Sequence, residues 1–179
     1  VMCLKKFPGS FLRWMRSKML FDTLVLTCLC RGTSYNESGK RIRIEPETNE
    51  RAAFFEIDEN SNEYSAFRRD FSVNGPVCDL IVFYTPHDSK DCTKILCFVE
   101  LKGIDVKHAS DQIVATYHAI RDKIPQIYRN EIKWKGYILT HGGAPKNTKK
   151  YKAELNALFG RGNGDISTTE DIGRFLRSG

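Results

Sequence analysis

The stretch "CFVELKG", Cys97 to Gly103, ends an apolar run with an acid and a base, Glu100 and Lys102, two positions apart. The run from Ile95 to Val99 has the length and composition of a strand covered on both faces. Side chains alternate along a strand, so Glu100 and Lys102 point to one side. Immediately upstream, "VCDLIVFY" (77–84) reads as a second strand, "TPHDSKDCT" (85–93) as a polar loop, and "KILCFVELKG" (94–103) as the strand that carries the opening stretch. Antiparallel pairing about a loop centred between Ser89 and Lys90 sets Asp79 opposite Glu100. Directly opposed residues share a face with Cβ atoms about 4.5–5.5 Å apart, and two like charges so placed repel. Lys102 supplies one cation on that face. A divalent metal would supply a stronger one, because Mg²⁺ is held by one or two carboxylates, with waters and substrate phosphates completing its shell. Slipping the register by two residues keeps all three on one face, whereas a slip by one moves Asp79 to the other.

The flanks place this hairpin in an α/β chain. Residues 10–20 have helical spacing and run into the Leu-rich "TLVLTCLC", and residues 31–50 are turn-rich with one strand expected at "RIRIE". "AAFFEID" (52–58) and "YSAFRRDFSV" (64–73) are predicted as strands joined through "ENSN" as a hairpin. Downstream, 106–122 is predicted as a helix, "WKGYILTHGG" (134–143) as a strand, "KNTKKYKAELNALF" as a helix, "DIST" as a short strand and "TEDIGRFL" as a last helix. Antiparallel strands come first and a helix and strand follow, which implies a central mixed β-sheet flanked by helices. At 179 residues the chain fits a single domain, 1–179, with its core at about 50–160.

Composition narrows the setting. The hydrophobic share of 41% and charged share of 28% are those of a globular protein, and neither points to disorder. Six cysteines without a C-x-x-C pair point to a reducing, intracellular, cytoplasmic environment. The most apolar stretch, "MLFDTLVLTCLC" (19–30), is too short to span a bilayer and is interrupted by Asp22, so no membrane partner is expected. A net charge of +6 suits a polyanionic partner, and "RWMRSK" (13–18), "FRRDF" (67–71) and "KNTKKYK" (146–152) are local basic clusters that also read as solvated faces.

Asp79, one hairpin, and Glu100-Leu101-Lys102 together resemble the PD-(D/E)XK nuclease superfamily, with Pro76 displaced from Asp79. The resemblance spans residues 76–118 and reaches the following helix, where Gln112 matches a Gln of RecB-type nucleases. Four residues rather than three separate it from Tyr117, so only Gln112 carries over. The resemblance implies a restriction-endonuclease-like αβββαβ core. It implies Mg²⁺ (or Mn²⁺) held by Asp79, Glu100 and the backbone carbonyl of Leu101, with Lys102 orienting water or stabilising charge on phosphate. Gln112 would position the water or the backbone, and His108, one turn earlier, shares its face as a candidate phosphate contact. A further acid on the family's first helix has no match in 10–20, which leaves Glu45, Glu47, Glu50 and Glu63 as candidates. DNA is the implied substrate, in restriction, repair or defence, with RNA left open and a homodimer admitted.

Each residue also has a plainer reading. Asp79 can cap a turn, Glu100 with Lys102 can be a surface salt bridge, Tyr117 can be core, and His87, His108, His118 and His141 show no metal-ligand spacing. Two functions therefore stand side by side: a metal-dependent deoxyribonuclease, and a catalytically inactive protein of the same fold that binds nucleic acid or a protein partner.

Overall fold

The computed structural model describes residues 23–58, 65–86, 93–102, 105–141 and 147–178. The expected first helix and the clusters "RWMRSK" and "ENSN" lie outside them, as does His87, and the described remainder of the first apolar stretch holds a π-helical turn, Leu24–Cys28. A two-stranded hairpin follows, β1 (Ser34–Glu37) and β2 (Lys40–Arg43), where a single strand was expected. Ser38 and Gly39 between them both have positive φ, 48° and 76°, the backbone of a tight two-residue turn whose twist matches its strands. The polar "SYNE" of β1 carries little strand signal by itself; its order comes from pairing.

The central sheet is mixed, with spatial order β3 (Arg51–Glu56), β4 (Leu80–Thr85), β5 (Lys94–Lys102), β6 (Ile132–Thr140) and β7 (Gly164–Ser167). The first three strands are antiparallel, and β6 and β7 add in parallel. The β4–β5 ladder has the register expected from the loop, with Leu80 opposite Val99 and Ile81 opposite Phe98.

One expectation is corrected. The described part of 64–73 does not form a strand: Ala66–Phe71 is a helix, α1, and β3 pairs with β4 instead. Phe67 and Phe71 stand four apart, so a helix stacks them on one buried face, with ring centroids 4.5 Å apart. The Ser65 hydroxyl accepts the Arg68 N–H and caps the first turn, and Ser72 closes the other end in the left-handed region.

The remaining helices are α2 (Val106–Lys123), α3 (Gln126–Arg129), α4 (Thr148–Phe159) and α5 (Gly173–Arg177). Alternation along the strands splits the core in two. On one face Phe55, Ile81, Phe83 and Phe98 pack with Phe67 of α1, Ile113 and Tyr117 of α2, and Phe159 of α4. On the other, Phe54, Val82, Cys97 and Leu139 pack under Ile42 of the hairpin and Leu176 of α5. Tyr117 is a core residue, its ring edge-on to Phe98, Trp134 and Phe159. The sheet is thus covered on both faces, which explains why β4 and β5 read as unbroken apolar runs. None of the described helices is long and apolar enough to cross a membrane.

Candidate functional site

The site is built where β4 begins and β5 ends. Asp79 immediately precedes β4, and continuing the ladder by one pair brings it opposite Glu100. Both are buried, Asp79 at 6% exposure and Glu100 at 0%, so Glu100 is not the surface residue of the plainer reading. The Asp79 N–H donates to Glu100 Oε2 at 3.2 Å, and the Leu101 N–H donates to Asp79 Oδ2 at 2.6 Å. Each carboxylate therefore accepts a backbone donor from the other's strand end, which offsets the repulsion expected of two opposed acids.

Helix α2 holds this arrangement from one face. Its N-terminus is capped by Asp105, whose Oδ1 accepts the N–H of His108; the His108 side chain itself is exposed. One turn further, Gln112 is buried and its Nε2 donates to the Val77 carbonyl at 2.7 Å. Thr116, another turn on, accepts the Cys78 N–H at 2.9 Å and donates to the Gln112 carbonyl. Gln112 and Thr116 thus latch the two residues that lead into Asp79. The Cys78 thiol beside them is pushed well above its ordinary pKa by burial and then by the Glu100 charge, which keeps it a protonated, inert core residue.

Lys102 is the last residue of β5 and pairs with Thr140 of β6; its side chain lies outside the described residues. By alternation its position is on the Glu100 side of the strand.

The other face contributes residues that the motif reading did not include. Lys40, at the start of β2, donates to the Leu101 carbonyl at 2.9 Å. Tyr35 of β1 donates to Glu56 Oε1 at 3.1 Å, and Glu56 ends β3 opposite Leu80, next to the start of the Asp79 segment. The Tyr35 hydroxyl is held protonated far above its usual range, by burial first and then by the charges of Glu37, Glu56 and, further down, Asp79. Glu56 closes the apolar "AAFF" run as Glu100 closes "CFV", which is the sequence signal that could have found it. Lys40 carried no such signal, since only packing of the hairpin brings it to β5.

Among the acids proposed for the missing position, Glu50 sits at the far end of β3, beside Arg51, which pairs with Thr85. There it accepts two hydrogen bonds from Arg177 at 2.8 Å and one from the Tyr84 hydroxyl at 2.5 Å, a buried anchor for α5. Glu45 and Glu47 also face Arg43 or Arg177, and Glu63 lies outside the described residues. Among the described residues of the basic clusters, Arg68 pairs with Asp58, Arg69 with Asp70, Lys150 with Glu154 and Lys152 with Asp165.

Asp79, Glu100 and the Leu101 carbonyl make an all-oxygen donor set, the kind that hard divalent cations take. A cation already contacts one of these oxygens, the ammonium of Lys40 on the Leu101 carbonyl, so the position accepts positive charge. The residues therefore fit Mg²⁺ or Mn²⁺ bound through two carboxylates with water and substrate oxygens. No group of three or more His, Cys, Asp and Glu side chains suited to a metal occurs among the described residues, so a thiolate and imidazole site of the zinc type is not seen there. Comparison of the chain with protein-family models, with curated proteins and with solved structures gave no match.

Proposed function

We propose that the chain is a metal-dependent nuclease of the PD-(D/E)XK kind, acting on DNA. The observation that carries this reading is the buried Asp79–Glu100 pair at the joined ends of two core strands, each acid held by a backbone donor. The order of three antiparallel strands, a helix and a parallel strand around that pair is consistent with a restriction-endonuclease-like core.

A bound Mg²⁺ or Mn²⁺ would polarise the scissile phosphate and acidify a water near neutral pH. The chain's own residues supply the rest. Asp79 and Glu100 bind and orient, their positions fixed by the ladder and by the Gln112 and Thr116 latch on residues 77 and 78. Lys102, on the Glu100 side of β5, is the group proposed to orient the water or to meet charge developing on phosphate, a task suited to an ammonium. Gln112 is a positioning residue. The net charge of +6 favours a polyanionic substrate.

A second reading, an inactive protein of the same fold that binds nucleic acid or a protein, draws on one observation: Lys40 already satisfies the Leu101 carbonyl. The deciding experiment measures Mn²⁺ binding by calorimetry, and Mg²⁺- and Mn²⁺-dependent cleavage of single-stranded, duplex and branched DNA, in wild type, Asp79→Asn and Glu100→Gln. Metal binding and cleavage in wild type, both lost in the two variants while their melts stay cooperative, is the expected result. Retained cleavage in both variants refutes the site. Absence of metal binding by wild type selects the second reading.

A further inference from the structure

Leu101 is the point where the two faces of the sheet meet at the site. The donor and acceptor of a strand residue lie on the same edge. The Leu101 N–H goes to Asp79, so its carbonyl opens on the β4 side, but β4 starts only at Leu80, whose partner is Val99. Beyond that pair β4 has no strand backbone left to offer, and the carbonyl is taken instead by Lys40, reaching across from a hairpin 61 positions away in sequence. Lys40 is half-buried, and it stands opposite Glu37 at the hairpin turn. The second polar tie of this hairpin to the sheet near the site is Tyr35 to Glu56.

We propose that Lys40 is a tethered counter-cation that competes with a divalent ion for the Leu101 carbonyl, so that metal binding must dislodge Lys40 and loosen the β1–β2 hairpin. This rests on the metal-site reading above and adds a regulation to it. A carbonyl oxygen has two lone pairs, but an ammonium and a doubly charged ion sharing it would lie within roughly 4 Å of each other, where repulsion between cations is strong. The hairpin then acts as a self-contained brake on metal occupancy, and affinity for the metal and order of the hairpin are reciprocally coupled.

The test compares Mn²⁺ affinity by calorimetry in wild type, Lys40→Met and Lys40→Arg, with hydrogen exchange of residues 34–43 followed with and without Mn²⁺. Methionine keeps an aliphatic stem and removes the charge; arginine keeps the charge and the donor. Lys40→Met is expected to bind Mn²⁺ about tenfold more tightly, within the range of roughly 5- to 150-fold typical of coupled sites, and Lys40→Arg to stay near wild type. Mn²⁺ is expected to speed exchange in the wild-type hairpin and to leave that of Lys40→Met unchanged. Equal or weaker binding by Lys40→Met overturns the inference and leaves the metal site standing, provided Glu100→Gln still abolishes binding. If no form of the protein binds Mn²⁺, the inference and the metal reading fall together. Should Lys40→Met fail to fold, the wild-type exchange measurement decides, and unchanged hairpin protection on adding Mn²⁺ overturns the inference.

Discussion

Asp79→Ala separates what Asp79 does for the fold from what it does for a metal. Its carboxylate accepts the Leu101 N–H at 2.6 Å in a buried position. Truncation leaves that donor without its acceptor, a loss of about 1–3 kcal/mol. Against this, removing one of two opposed acids relieves a repulsion of about 0.2–1 kcal/mol. The hydrogen bond wins, and the net destabilisation is about 1–2 kcal/mol. At roughly 2–4 °C per kcal/mol for a chain of this size, Tm should fall by about 4 °C. Asp79→Asn keeps a side-chain oxygen for the same N–H and loses the charge, so its Tm should stay within about 1 °C of wild type while Mn²⁺ binding disappears. Thermal melts in chelator, followed by calorimetric titration with Mn²⁺, measure both effects. An Asp79→Ala protein as stable as wild type would refute the acceptor role, and wild-type Mn²⁺ affinity in Asp79→Asn would refute the ligand role.

Two further outcomes concern the frame around the site. Hydrogen bonds from Arg177, outweighing the opposing effect of burial, together with that of Tyr84, lower the Glu50 carboxyl from 4.5 to about 2. Because the folded value is depressed, this stabilisation of about 3 kcal/mol is fully present above the ordinary carboxylate pKa and is lost as the pH falls from about 4.5 toward 2. Urea melts across that window should show the loss in wild type and a much shallower slope in Glu50→Gln; parallel slopes would contradict the anchor. A Cβ on Gly164 would meet Leu155 Cβ at 2.5 Å and the Asn156 backbone nitrogen at 2.9 Å, so Gly164→Ala must push α4 away from β7. A cost of about 1–3 kcal/mol in chemical denaturation is expected, and a neutral substitution would mean that α4 does not pack on β7 in this way.

The β4–β5 hairpin was legible because everything that sets it is local. Two apolar runs, one loop and the period of two suffice to put Asp79 opposite Glu100, and burial on both faces makes a slip of one residue costly. The 106–122 helix and the strands after it were legible for the same reason, since each carries its own periodicity. Residues 64–73 misled because ten residues with Phe67 and Phe71 fit either period, and a single hydroxyl cap and the helix face offered by the core decided between them.

The chain's local pattern thus determined β4 and β5, their register and the two acids at the heart of the site. Tertiary structure alone decided what surrounds those acids. Gln112 faces the Val77 carbonyl because α2 crosses the sheet where β4 starts, and Lys40 reaches Leu101 because the hairpin packs on the opposite face through Ile42. Those contacts join residues 35 and 61 positions apart, and no sequence period extends that far. Whether a buried carbonyl meets an ammonium or a strand partner depends on where a neighbouring strand happens to begin, and that is set by the packing of the whole sheet.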